Sequence, residues 1–281
     1  MDIIIEQVIN ELQLSYKQVT KTLQLLSEGA TVPFIARYRK EATGSLDEVM
    51  IMKIRDLHNF YTELEKRRNS IIENIKEQGK LTDELHNLLV QAKTLVELED
   101  LYLPYKPKRK TRASIAKEKG LEPLASIMLE QTSIDIEVKA KEFINEDVGI
   151  NTTEEALAGA RDIVSEIINE NATLRKILRN LYLTKGLVSS KIAKGKTEEG
   201  EKYEQYFEFS ESVQKIPSHR LLAILRGENE GFLRVDISPS TEDVLYFIKK
   251  KFIKNNSISA KHIELAAKDS YKRLLHPSIE N

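Results

Sequence analysis

Over the first 185 or so positions, apolar residues recur at helical spacing. Between residues 46 and 78, Met50, Ile54, Leu57, Tyr61, Leu64, Arg68, Ile71 and Ile75 alternate steps of four and three, a continuous heptad seam. The seam predicts one helix of about 50 Å at ~1.5 Å per residue, a spine for other elements. Its charged member, Arg68, is expected to lay its stem along a partner helix; the alternative is an inter-domain ion pair or a phosphate contact. Capping signatures punctuate the pattern. Ser15 with Gln18, Ser45 with Glu48, Thr94 with Glu97 and Thr152 with Glu155 match the box in which two side chains satisfy free amides at a helix start. Gly29, Gly79, Gly120 and Gly186 stand where a left-handed C-cap is expected, and Pro33 and Pro123 where a first turn tolerates proline. Together these signals place helices near 2–12, 16–28, 33–40, 46–78, 83–93, 95–102, 112–119, 123–131, 136–145, 154–169 and 172–184.

Beyond Gly186 the texture changes. Residues 191–202 are rich in Lys, Gly and Glu and read as an exposed loop, whereas 203–209 alternate aromatic and acidic side chains, as a strand does. A short helix over 219–226, a strand over 231–237 and helices at 242–254 and 260–275 follow. The expected fold is mostly α: multi-helical, with a helix-turn-helix-like element, one long central helix and a small β portion around 203–238. The expected domains are 1–103, 104–186 (opening on a basic loop) and 187–281, the last of mixed α/β character. There is no internal repeat.

Composition narrows the function classes. Of 281 residues, 41 % are hydrophobic and 31 % charged, enough for a core under a heavily solvated exterior. Eleven glycines and seven prolines are about half the usual share, which favours long helices. A net charge of −1 gives no global attraction to nucleic acid or acidic lipid. Cysteine is absent, which excludes disulfides, thiol nucleophiles and Cys-ligated metal. No apolar run approaches the ~20 residues of a membrane span, and no signal-peptide pattern opens the chain. A soluble, cytoplasmic protein without membrane contact is expected. Histidines 58, 86, 219, 262 and 276 show no His-x-x-x-His spacing. There is also no phosphate-binding glycine loop and no Gly-x-Ser-x-Gly elbow. Neither catalysis, cofactor nor metal is expected.

Two local features carry chemistry. From 104 to 120 there are seven Lys/Arg against Glu118 alone, a local net charge of +6. Lys106, Lys108, Arg109, Lys110 and Arg112, spaced by Pro104 and Pro107 with Tyr105 alongside, suit phosphate contact and counterion release. The competing reading is a solvated connection whose cations pair with Glu97, Glu99 and Asp100 just upstream. The second feature is a helix pair, 16–28 and 33–40, joined through Gly29 in a helix-turn-helix-like order, whose second member carries Arg37, Arg39 and Lys40. These three are candidates for nucleic-acid contact, or for structural pairing with acids of neighbouring helices.

The same segments carry a resemblance. Thr31-Val32-Pro33-Phe34-Ile35-Ala36-Arg37-Tyr38-Arg39-Lys40, running on to Glu48, is similar to a hallmark of the Tex family of bacterial transcription accessory proteins. So are Leu98-Glu99-Asp100-Leu101-Tyr102-Leu103-Pro104-Tyr105-Lys106-Pro107-Lys108, running on to Ala125, and Lys215-Ile216-Pro217-Ser218-His219-Arg220, running on to Gly231. The resemblance spans essentially the whole chain. It implies a protein more than twice as long, in which this helical region precedes an RNase-H-like domain, helix-hairpin-helix modules and a C-terminal OB-fold RNA-binding domain. On that basis the chain is expected to be an N-terminal fragment, truncated before the RNase-H-like domain. It would be non-catalytic and bind RNA or DNA weakly and non-specifically, with the transcription machinery as a further partner. The alternative is a protein-interaction scaffold that docks that machinery, or the missing domains, without touching nucleic acid.

Overall fold

The computed structural model describes residues 2–107 and 109–280, and among these the chain is mostly helical with one small sheet. Two compact units divide it, Met1–Tyr105 and Lys106–Asn281. No helix among the described residues is long and apolar enough to cross a membrane.

The first unit is built along the heptad seam. Its helices are α1 (Ile3–Leu12), α2 (Tyr16–Ser27), α3 (Val32–Tyr38), α4 (Lys40–Thr43), α5 (Glu48–Glu77), α6 (Asp83–Gln91) and α7 (Leu95–Tyr102). α5 runs unbroken for 30 residues and serves two clusters. Ile51 and Ile54 near its start pack with Val8, Val19 and Ile35, while Leu64, Ile71 and Ile75 near its end pack with Leu89 and Leu98. Arg68 sits on this buried face. Its Nε donates to the Leu89 carbonyl at 2.9 Å and its Nη2 to the Ala92 carbonyl at 2.7 Å, with Glu65 as the paired carboxylate. Those carbonyls belong to the end of α6, where the helix has no amide left to offer them. Arg68 is therefore a side-chain cap for a neighbouring helix, more specific than a stem laid along one.

The start of α5 differs from the Ser45–Glu48 box. Gly44 and Ser45 both take left-handed φ, +67° and +61°, to turn the chain, and Leu46 is buried behind them. Asp47 is then the first residue placed to cap, and its Oδ1 accepts from the Met50 amide at 2.7 Å. The boxes at Ser15 and Thr152 form as expected. At Thr94 the hydroxyl caps, but Glu97 reaches back to the Lys93 amide instead. The helix expected over 33–40 breaks at Arg39, whose φ of −127° separates α3 from α4.

In the second unit come α8 (Arg112–Glu118), α9 (Glu122–Glu130), α10 (Ile136–Ala140), α11 (Thr153–Asn169), α12 (Ala172–Lys185), α13 (Ser218–Asn229), α14 (Thr241–Phe252), α15 (Ile258–Ser270) and α16 (His276–Glu280). α11 is the hub, with α8, α9 and α15 against it. Buried Ala156, Ala160 and Val164 of α11 share one core cluster with Ala113 and Ala116 of α8, and the two helices pack against each other. A Cβ on Gly159 would lie 2.3 Å from Leu121 Cδ1, so a side chain there would require the buried Leu121 to shift. A π-helical turn, Tyr271–Leu275, joins α15 to α16, so the helical run reaches beyond the expected 275.

The sheet is antiparallel throughout, with β1 (Leu187–Ile192) between β2 (Glu208–Ser212) and β3 (Leu233–Ser238). β1 lies ahead of the expected β portion. The period of two over 203–209 proves misleading at its start, because Glu201–Tyr206 is a 3-10 helix. Tyr203 and Tyr206, both buried, are three apart, the repeat of that helix. Gly186 has φ −63° and is no left-handed cap; a Cβ there would lie 2.2 Å from the Tyr182 carbonyl oxygen.

Candidate nucleic-acid interface

The basic segment leads into α8 on the second unit. Thr111 caps α8 through a box with Ser114, and its hydroxyl donates to Glu166 of α11 at 3.1 Å. With Ala113 and Ala116 turned inward, the cations are left outside. Lys106, Arg109, Lys110 and Arg112 are all exposed; Lys108 lies outside the described residues. Lys110 pairs with Glu118 at 3.4 Å, Lys117 with Glu122 at 3.3 Å, and Lys119 donates to the Gly149 carbonyl at 3.0 Å. Among the described residues Lys106, Arg109 and Arg112 make no ion pair. Of the upstream acids offered as their partners, Glu99 is taken by Arg67 at 2.5 Å, which holds that guanidinium above its ordinary pKa.

Arg112 stands at the meeting point of two shallow grooves of about 260 and 390 Å³ that share Ala158 and Asp162. Charges in these grooves are mixed. Burial raises the Asp162 carboxyl, while hydrogen bonding to Arg273 lowers that of Asp269. Two carboxylates this close to Arg112 make the grooves poor phosphate pockets; the free face of the segment is the open side, at Lys106 and Arg109.

On the first unit, Val32, Ile35 and Ala36 of α3 turn into the core, which leaves Phe34, Arg37, Tyr38 and Arg39 outside. The Phe34 and Tyr38 rings lie 5.4 Å apart, and the Arg39 guanidinium sits 5.4 Å over the Phe34 ring. Arg37 is 3.8 Å from Glu48, a pair open to water, and Lys40 is exposed at the start of α4. The structure thus gathers Arg37, Arg39 and Lys40 on one unit and Lys106, Arg109, Lys110 and Arg112 on the other. Sequence does not distinguish Phe34 and Tyr38 as surface residues, because their i, i+4 spacing beside arginines is equally a core pattern.

The chain matches the Tex-like protein N-terminal domain over residues 2–76 and the Tex central region over 131–275. It is 43 % identical to the YdcI protein of Bacillus subtilis over 278 residues, which cover 98 % of this chain and 39 % of that protein. Against the transcriptional accessory protein Tex of Neisseria gonorrhoeae, identity is 43 % over 83 % of this chain and 30 % of the relative. The human S1 RNA-binding domain-containing protein 1 is 29 % identical over 91 % of the chain and 27 % of its own length. The chain thus spans well under half of each of these relatives.

Proposed function

The chain belongs to the Tex family of transcription accessory proteins and corresponds to its N-terminal region, and from that premise we propose that it is a non-catalytic scaffold that binds nucleic acid weakly and without sequence preference. The contact surface is the basic segment, with Lys106, Lys108, Arg109, Lys110 and Arg112 neutralising phosphates. What carries this reading is that Lys106, Arg109 and Arg112 are exposed and have no ion-pair partner among the described residues. Arg37, Arg39 and Lys40 add an auxiliary contact, with base stacking on Phe34 and Tyr38. The name of the human relative supports RNA as one class of ligand.

Changing Lys106, Arg109 and Arg112 together to Glu tests it. Anisotropy titrations with unrelated single- and double-stranded oligonucleotides should show weaker binding, and the plot of log K against log salt should flatten by about 2–3, since each lost phosphate contact removes ~0.7–0.9 from the slope. An unchanged slope at unchanged circular dichroism refutes the assignment.

One observation favours protein docking as a second reading. Tyr38, Val49 and Met52 of the first unit are 69 %, 59 % and 43 % exposed. If that face seats the transcription machinery, Val49→Ala and Met52→Ala weaken co-purification with RNA polymerase and leave the oligonucleotide titrations untouched.

A further inference from the structure

Three side chains from β3 and α16 converge on one point. Asp236 Oδ1 lies 3.0 Å and Glu280 Oε2 lies 3.6 Å from His276 Nε2, and all three atoms fall within 4.8 Å of one another. His276 and Glu280 are i, i+4 on α16 and share a face, while Asp236 reaches them from β3.

The opposite end of each side chain is held in place. His276 Nδ1 is 2.8 Å from the Tyr182 hydroxyl, which in turn donates to the Tyr271 hydroxyl at 3.5 Å. Asp236 Oδ2 accepts from Ser238 Oγ at 2.6 Å, and Glu280 Oε1 accepts from the Ile237 amide at 2.7 Å. In the structure Nε2–H donates to Asp236 Oδ1 at 3.0 Å; an ion takes the place of that proton, and Nδ1 then carries the ring proton toward the Tyr182 hydroxyl, which donates onward to Tyr271. The inner atoms Nε2, Oδ1 and Oε2 are then the ones that face each other, each aimed by an outer hydrogen bond. Metal-ligating histidines and carboxylates are aimed in this way. A cluster of surface acids has no such arrangement.

We propose that Asp236, His276 and Glu280 bind a divalent transition-metal ion of the zinc class. Bonds of ~2.0–2.2 Å set at roughly 90–110° place neighbouring ligand atoms about 3–3.5 Å apart, close to the separations from Nε2 given above. One imidazole with two carboxylates suits Zn²⁺, or Co²⁺ in its place, better than Ca²⁺ or Mg²⁺, which take oxygen donors alone. The Asp236 side chain is 53 % exposed, so the remaining coordination positions open to water. The ion joins the sheet to the C-terminal helix of the described chain.

Titration of the 281-residue protein with Zn²⁺ by calorimetry, and with Co²⁺ by visible absorption, tests the site. One equivalent of ion is expected to bind. Asp236→Asn, His276→Asn and Glu280→Gln should each lower affinity at least tenfold, whereas His86→Asn and His219→Asn, exposed elsewhere, should not. Ser238→Ala keeps all three ligands and removes one outer hydrogen bond, so a loss of about tenfold there reports aiming of the ligands independently of folding. Zn²⁺ should also raise the melting temperature of the parent, and at the same ion concentration raise that of Glu280→Gln less. If no stoichiometric binding occurs at micromolar ion, or if Glu280→Gln and His276→Asn bind as the parent does, the proposal falls, and the trio is a hydrogen-bonded clip sharing a proton.

Discussion

Arg68 shows what burial asks of a charged side chain. Its guanidinium has two carbonyls and a carboxylate around it, and only the planar fork of arginine spans both carbonyls. Arg68→Ala should destabilise the first unit by about 3 kcal/mol, the scale of removing one partner from a buried ionic contact. Arg68→Lys should recover less than half of that, as read from urea midpoints followed by circular dichroism. His262 is the contrasting case. Burial first, and the Arg161 guanidinium second, hold its imidazole below the ordinary value of 6.5. Arg161 Nη1 lies 3.1 Å from Nδ1, so that nitrogen accepts and the ring stays neutral. On unfolding, His262 protonates at its ordinary pKa, so below about pH 6.5 the unfolded state binds more protons than the folded one. The second unit should therefore lose stability as pH falls through that value, with no effect from His262 above it. His262→Asn, which keeps an acceptor for Arg161, should make the decline shallower in urea titrations between pH 7.5 and 5.5.

Among the elements, the long helix separates a pattern from its boundary. Its seam fixes which face is buried, but its first residue depends on where the preceding turn ends. Asp47→Ala removes the side-chain cap and should cost about 1 kcal/mol. Ser45 caps nothing and sits at φ +61°, so Ser45→Gly should stabilise by a few tenths of a kcal/mol up to ~1, through relief of a left-handed conformation that glycine adopts freely. Thermal melts of the two variants check the pair, and the opposite order of stability would mean that the cap is at Ser45. The 3-10 turn at Glu201–Tyr206 makes the same point for a shorter element, since a tyrosine pair three apart satisfies both a weak alternating pattern and a tight helical one.

At the scale of the whole molecule, each unit has its own apolar clusters, so fragments 1–105 and 106–281 should fold separately. Expression of each alone, with cooperative urea unfolding as the readout, tests this. A fragment that is molten or insoluble on its own would refute it. The charge balance acts at this scale too. With a net of −1 over 281 residues, attraction to a phosphate backbone comes only from local clusters, which position a nucleic acid without reading its bases. Dissociation constants near ~10⁻⁴–10⁻⁶ M at physiological salt are expected. Nanomolar preference for one sequence over scrambled controls would instead make α3 a sequence reader.

Features that depend on neighbours along the chain were legible in it: the helical class, the course of α5 from a seven-residue repeat, two capping boxes, the basic character of residues 104–120, and the family, through long blocks in fixed order. Tertiary structure decided what depends on residues far apart. Arg68 becomes a cap because α6 ends beside it, 21 to 24 positions downstream. β1 was hidden because its Ser189 and Ser190 blunt the apolar alternation, and burial of Ser190 is made tolerable by its hydrogen bond to the Tyr206 carbonyl at 2.7 Å. The Asp236, His276 and Glu280 trio was illegible for the same reason. His276 and Glu280 are one helical turn apart, a spacing common on any helix, and the second carboxylate, Asp236, arrives from 40 residues upstream. Local pattern registers periodicity and charge; it does not register which strand end a helix will meet, because that is set by packing against residues the pattern never compares.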